Sequence, residues 1–288
     1  MAGAELKQPR QQSLARVPGA GRNGAGIRAL RALTGGSVNN LWRVDTDAGH
    51  FLLREDGPAW RRPGVNRQRE GVAHAMAAEA GLAPRILARS DTGDWLVCEF
   101  IDGRVWTSDD FGQATQRERL CELLGRVHRL ALPRQECWPF EPLRLANDYA
   151  HAAAPGPRVE ACLAAARLAA AQLDAAAAPR VLTHGDPLPG NVIESAGRLW
   201  LIDWEFTQCA DPVWDLAAFA VWFPESLGDL THGAERAGIG GESLAARLDA
   251  ALVLHRALGS LWYLARGEAP PAVLETRAAS GHTSAPRA

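Results

Sequence analysis

Residues 182–216 read LTHGDPLPGNVIESAGRLWLIDWEFTQCADPVWDL. Leu199-Trp200-Leu201-Ile202 is a short apolar run of the kind that forms a buried strand, and it delivers Asp203 at its end. Upstream, His184, Asp186 and Asn191 stand in a loop stiffened by Pro187, Pro189 and Gly190. Any one Asp, Asn or Gly is an ordinary turn former. An Asp, an Asn and a second Asp in this order also supply what phosphoryl transfer to an alcohol requires. One carboxylate accepts the proton, while an amide and a carboxylate hold Mg²⁺, whose other positions phosphate and water fill.

The His184-x-Asp186-x-x-x-x-Asn191 spacing is that of the protein-kinase catalytic loop, where the Asp accepts a substrate proton and the Asn holds Mg²⁺. With LIDWE and DPVWDLA following, the HGDPLPGN run resembles the choline/ethanolamine kinase, thiamine kinase and aminoglycoside phosphotransferase superfamily. The likeness runs from Ile27 to Arg266 and is strongest in the second half. It implies an α+β, bilobal protein-kinase-like fold with a small antiparallel-sheet N-lobe and a mainly helical C-lobe. It further implies ATP-dependent phosphorylation of a small-molecule hydroxyl, with Asp186 as catalytic base and Asn191 and Asp203 as Mg²⁺ ligands. His184 is expected to shape the loop; a covalent phosphohistidine is the minority alternative, which the Asp186, Asn191 and Asp203 set makes unnecessary.

Toward the N-terminus, Ile27–Leu33, Leu41–Val44 and His50–Arg54 read as strands, the last two joined by a turn at Asp47-Ala48-Gly49. Gly35 and Gly36 let backbone amides approach phosphates, although such pairs also merely turn a chain. Gly35, Gly36, Ser37 and Asn39 are therefore expected among the ATP-binding positions. Arg54 stands where a kinase places its phosphate-contacting Lys, and the resembling families similarly tend to carry Arg there; its planar fork keeps the charge with changed geometry. Residues 66–80 have helix-forming composition, and Glu70 within them is the natural partner for Arg54. Trp95–Phe100 alternates into Ile101-Asp102-Gly103, a last strand entering a hinge. The resemblance implies adenine contacts from the main chain of Glu99 and Ile101.

Beyond the hinge, Leu120, Leu123, Leu124, Val127 and Leu130 describe one apolar helix face, with His128 beside it as an interfacial residue. An alanine-rich helix is expected over 161–178, ended by Pro179. Pro212 suits the first turn of another helix with Asp211 as its cap. Asp215 is expected to brace the catalytic loop through a buried hydrogen bond, a role that competes with contact to a cationic substrate. The expected organisation is a disordered tail over 1–26, an N-lobe over 27–101, a C-lobe over 102–267 and a second tail over 268–288.

The formal net charge of −2 provides no broad basic field, so a nucleic-acid partner is not expected. Of 31 Lys plus Arg, Lys7 is the only Lys, leaving 30 Arg, so the chain has neither a Walker-type phosphate loop nor a Schiff-base lysine in its folded part. Five cysteines without a C-x-x-C pair point to a reducing, cytoplasmic setting and away from structural zinc. No apolar run approaches the roughly 18 residues of a membrane span, and no secretory signal is evident.

The acceptor alcohol is the open question. Ten Trp stand against two Tyr, and Trp204, Trp214, Trp222, Trp262 and Tyr263 fall in the second half. Such rings hold a quaternary ammonium or thiazolium at about 0.5–2 kcal/mol per contact, which favours a choline/ethanolamine-type or thiamine-type alcohol. Trp204, Trp222, Trp262 and Tyr263, with Glu205 and Asp215, are the substrate-binding candidates, against the alternative that the rings are core. An aminoglycoside would instead use carboxylates such as Glu225, Asp229, Glu235, Glu242 and Asp249. A non-catalytic pseudokinase is a third reading, since Arg54 and Glu205 depart from the protein-kinase Lys and DFG Gly.

Overall fold

The computed structural model describes residues 8–33, 39–57, 63–131, 138–239, 241 and 243–275. Strands β1 (Ile27–Leu33), β2 (Asn39–Thr46), β3 (Gly49–Asp56), β4 (Ile86–Arg89) and β5 (Trp95–Glu99) form an antiparallel sheet in the order β1-β2-β3-β5-β4. The expected turn between β2 and β3 is the pair Asp47-Ala48, with Thr46 opposite Gly49. A turn this tight carries the ladder to both ends, so the two strands are longer than their apolar cores.

Side chains on a strand alternate between faces, and β3 uses both. Phe51 and Leu53 enter a core with Trp42, Val44, Trp95 and Val97. Arg54 and Asp56 lie on the other side and pair with helix α2 (Arg67–Glu79). The side chain of Asn66 caps that helix, accepting from Gln68 N at 3.1 Å and Arg69 N at 2.9 Å.

The core beneath β3 corrects the expectation of a disordered tail over 1–26. Residues 8–26 carry helix α1 (Gln11–Leu14) and lay Val17, 3% exposed, and Ala20, 0% exposed, into the same cluster as Phe51 and Leu53. Glu55, buried on this face, accepts from Arg10 N at 2.8 Å and from the Ser13 hydroxyl. Thr46 Oγ1 donates to Pro18 O at 2.8 Å. The segment has few apolar residues and no period because, apart from the single turn of α1, it docks as an irregular strap.

The chain divides into two compact units, residues 1–140 with 179–242, and residues 141–178 with 243–288. Besides the sheet, the first contains β6 (Arg104–Val105), α3 (Ser108–Phe111), α4 (Ala114–His128), β7 (Val181–Thr183), β8 (Val192–Ser195), β9 (Arg198–Leu201), β10 (Gln208–Ala210), α7 (Val213–Ala220) and α8 (Leu227–Arg236). Leu120, Leu123, Leu124 and Val127 are buried along α4 as the period requires, while Leu130 lies past its end. Strands β6, β8 and β9 form a sheet in that order, and β7 pairs with β10. Asp211 caps α7 through its Oδ1, which accepts from Val213 N at 3.0 Å.

The second unit consists of α5 (Pro142–Ala152), α6 (Pro157–Ala176) and α9 (Leu244–Ala265), with α9 packed on both others. Helix α6 is the alanine-rich helix, started four residues early by Pro157 at its first turn and ended before Ala177 at φ 47°. The expected tail from 268 is corrected as far as Glu275. A 3-10 turn over Ala272–Leu274 buries Leu274 to 2% exposure, and Leu274 O accepts from Ser260 Oγ at 3.0 Å. Among the described residues no helix is long and apolar enough to cross a membrane.

Candidate active site

The β8–β9 hairpin brings the metal-ligand candidates onto neighbouring chain ends. Val192 pairs with Leu201, and one step further Ile202 N donates to Asn191 O at 3.0 Å. Asp203 follows immediately, with its backbone in the left-handed region at φ 63°, a conformation that Asp tolerates better than most residues. Asn191 Nδ2 donates to Asp186 O at 2.8 Å and to Asp186 Oδ2 at 3.0 Å. Both amide hydrogens are thereby spent on Asp186, which leaves the side-chain oxygen Oδ1 outside these bonds.

Two buried groups hold the loop that presents Asp186. His184 Nδ1 accepts from Asp186 N at 3.3 Å and its Nε2 lies 2.9 Å from Ile202 O, which fixes a neutral ring protonated on Nε2. Burial pushes the imidazole below its ordinary range, and Trp204 packs against it edge to face at 4.7 Å. His184 therefore shapes the loop, and with both ring nitrogens engaged it offers no phosphate-accepting atom. Gly185 sits at φ 87°, where a Cβ would collide with Phe206 O, so the turn requires glycine.

Asp215 on α7 accepts from His184 N at 3.0 Å, from Gly185 N at 2.7 Å and from His128 Nε2 at 2.8 Å. Burial works to raise this carboxyl, but the His128 hydrogen bond and the Gly185 N–H help bring it below the usual carboxylate range. Completely buried and with both oxygens engaged, Asp215 braces the loop. The rival substrate role is corrected.

On the sheet side Arg54 pairs with Glu70 as expected. What sequence reasoning missed is Arg67, three residues before Glu70 on the same helix. Its Nη1 reaches Glu70 Oε2 at 2.8 Å and Glu205 Oε2 at 3.0 Å, and its Nη2 reaches Asn39 Oδ1 and Asp56 Oδ1, each at 2.7 Å. Asn39 Nδ2 also donates to Glu205 Oε2 at 3.2 Å. An unbroken chain of charged contacts thus runs from Arg54 through Glu70 and Arg67 to Glu205, two residues past Asp203. The pairing of an Arg with a Glu three residues on was the available signal.

Electrostatics show what this arrangement lacks. Burial lifts Asp186 to about 7, with the charges of Glu205 and Asp215 adding to the rise and the Asn191 hydrogen bond opposing it. Asp203 is open to solvent at its surface, yet the protein crowded around its carboxyl pushes it above the usual range, as do the charges of Glu205 and Glu70, against the pull of Arg54. The site is short of positive charge beside Asp186 and Asp203. Among the described residues no group of three or more His, Cys, Asp or Glu is placed to hold a metal ion. One amide oxygen and one carboxylate, completed by phosphate and water, is the donor set that Mg²⁺ accepts, so Asn191 and Asp203 fit it.

Other expected positions divide. Gly35, Gly36 and Ser37 lie outside the described residues, as does Glu242. Asn39 is engaged with Arg67 and Glu205. Glu205, 2% exposed, belongs to that same ion-pair cluster, which corrects its assignment to the acceptor. Trp204, 0% exposed with its Nε1 donating to Leu201 O at 3.1 Å, is core, a second correction. Trp222 is 37% exposed beside α7. In the second unit Trp262 meets Tyr263 edge to face at 4.8 Å and carries the Arg266 guanidinium over its ring at 4.5 Å. Glu99 ion-pairs with Arg85 at 2.8 Å, and its N–H donates to Arg85 O at 3.0 Å. Phe100 N donates to His50 O at 3.1 Å, leaving half-buried Ile101 next in the chain.

A model of the phosphotransferase enzyme family, APH, matches residues 29–251. Among solved structures, a choline/ethanolamine kinase family protein from Mesorhizobium loti is similar at 25% identity, with a TM-score of 0.70 over 88% of this chain and 84% of that one. Choline kinase LicA from Streptococcus pneumoniae is similar in fold at 21% identity, with a TM-score of 0.69 over 84% of this chain and 86% of that one. A thermostable mutant of aminoglycoside phosphotransferase APH(4)-Ia, in a ternary complex with AMP-PNP and hygromycin B, shares the fold at 19% identity, with a TM-score of 0.63 over 85% and 89% of the two chains. The architecture is accordingly α+β and protein-kinase-like, with its antiparallel sheet in the N-terminal part and mostly helices after it. No match is found among the curated proteins.

Proposed function

The chain belongs to the phosphotransferase enzyme family, and on that premise we propose that it transfers the terminal phosphoryl group of ATP to the hydroxyl of a small cationic alcohol of the choline/ethanolamine or thiamine type. The observation that carries the reading is the pair of hydrogen bonds from Asn191 Nδ2 to Asp186, with Asp203 on the chain end bonded to Asn191 O. It puts the proposed proton acceptor and the two proposed oxygen ligands on adjoining stretches of chain, with Asp186 and Asn191 half-buried and Asp203 open to solvent.

In this reading Arg54, held by Glu70, contacts ATP phosphates, and the hinge main chain at Glu99 and Ile101 contacts adenine. Residues 27–101 act as the nucleotide lobe and 102–267 as the catalytic lobe. Asp186 accepts the hydroxyl proton as a positioned general base. Asn191 and Asp203 hold Mg²⁺, which when bound neutralises the charge on the phosphate oxygens. Trp222 in the first unit, and separately Trp262 and Tyr263 in the second, remain the aromatic candidates for a cationic acceptor. The likeness to choline/ethanolamine kinases supports that acceptor class.

The aminoglycoside reading loses one of its carboxylates, because Asp229 pairs with Arg117. The test is ADP formation over choline, ethanolamine, thiamine and kanamycin with Mg-ATP. Turnover with one of the first three supports the proposal; turnover with kanamycin alone replaces it, and tight Mg-ATP binding without turnover points to a pseudokinase.

A further inference from the structure

Arg67 is 5% exposed and joins four separate parts of the first unit: Asn39 at the start of β2, Asp56 at the end of β3, Glu70 on its own helix, and Glu205 in the turn after β9. Three of the four partners are carboxylates, and their combined charge exceeds that of the single guanidinium they share. A planar fork of donors serves the three hydrogen-bond acceptors Asn39, Glu70 and Glu205 while its charge faces Asp56; an ammonium on a flexible stem has no such fixed fork.

A merely structural ion pair needs no contact with Glu205. That contact ends on the 3-10 turn Trp204–Phe206, entered through Asp203 in a left-handed backbone conformation at φ 63°. Such a conformation persists only where its surroundings hold it. Glu205 has two donors from outside its turn, Arg67 Nη1 at 3.0 Å and Asn39 Nδ2 at 3.2 Å, and Arg67 orients Asn39 as well. The acceptor side is held by other means, since Asp186 hangs on Asn191 and the Asp215 brace.

Resting on the phosphotransferase reading above, we infer that Arg67 is a positioning residue of the nucleotide–metal site, locking the Asp203-Trp204-Glu205 turn in register with the Arg54–Glu70 pair. It touches neither nucleotide nor metal in this account. Its loss releases Asp203 from the phosphate-binding side, so the gain in ATP affinity that Mg²⁺ confers falls, while metal-free ATP binding through Arg54 and the hinge persists.

The test is calorimetric titration of the full chain with ATP in EDTA and with Mg-ATP, for wild type, Arg67→Lys and Asn39→Ala, with melting curves alongside. Arg67→Lys keeps a buried positive charge among the carboxylates, and Asn39→Ala leaves no buried charge unpaired, so at least one yields a folded protein. The Mg²⁺-dependent gain in affinity is expected to fall by about 10–100-fold in Arg67→Lys, the usual effect of removing a partner just outside the ligand shell, and by less in Asn39→Ala. Binding in EDTA should move by less than about threefold. A folded Arg67→Lys that melts lower yet keeps the wild-type gain within about twofold makes Arg67 purely structural and overturns the inference. Wild type that binds no Mg-ATP at all removes the phosphotransferase reading itself, a different outcome from a variant that matches wild type.

Discussion

His128 Nε2 lies 2.8 Å from Asp215 Oδ2, and through Asp215 the helix α4 holds the backbone of the loop that presents Asp186. The same carboxylate takes three donors, two of them main-chain N–H groups that have no alternative in a buried turn. Asp215→Ala orphans them and is predicted to cost about 3–5 kcal/mol, as breaking a buried ionic network does. Because the folded-state carboxyl lies below its ordinary value, its stabilisation is complete above about pH 4 and is lost as pH falls from there toward the lower folded-state value. Urea unfolding at pH 7 and at acid pH checks both points, the variant losing that part of the acid dependence.

Asp186→Asn keeps the size and one acceptor for Asn191 but removes the base. Turnover should fall about 10²–10⁴-fold, with the dissociation constant for Mg-ATP changed far less. Steady-state kinetics beside calorimetric binding separates the two effects. A parallel loss of binding would assign Asp186 to nucleotide or metal retention instead.

Buried histidines make the fold sensitive to mild acid. Burial lowers His74 to about 4, against the hydrogen bond to Pro84 O at 2.8 Å. The unfolded chain takes its proton first, near pH 6.5, so stability complete above that value is lost progressively down to about 4. The slope of about 1.4 kcal/mol per pH unit amounts to about 2 kcal/mol between pH 7 and 5. His184, also lowered by burial, acts in the same direction. Urea midpoints of wild type should drop over this range, and those of His74→Gln should drop less.

Much of this was legible beforehand. The apolar run into Asp203 was readable as a strand and the His184–Asn191 stretch as a loop, because local pattern determines a strand end and a tight turn; β8, which pairs with that strand, was not foreseen. Arg54 and Glu70 were pairable from the resemblance. Arg67 was legible only in its pairing with Glu70, since Asn39, Asp56 and Glu205 lie on other elements and only the folded chain gathers them. Trp204 and Trp262 look alike as letters, and packing alone makes one core and leaves the other under Arg266.

The N-terminal segment misled for a related reason. Val17 and Ala20 carry no period, yet they close the core under β3, and Ser13 and Arg10 satisfy buried Glu55. Val17→Ala and Ser13→Ala are each predicted to cost about 1–3 kcal/mol, from lost burial and from a buried acceptor left short of a donor. Thermal melting checks this; substitutions in an undocked tail stay within about 0.5 kcal/mol.

The central claim is that Asp186, Asn191 and Asp203 converge on one divalent cation and the terminal phosphate of a bound nucleotide. The most direct measurement is calorimetric titration of Mg-ATP, and of ATP in EDTA, into wild type and Asp203→Asn. Wild type should bind Mg-ATP more tightly than metal-free ATP, and Asp203→Asn should lose that gain by a factor on the order of 10–100 while binding metal-free ATP as before. Equal Mg-ATP affinity in the folded variant would contradict the account.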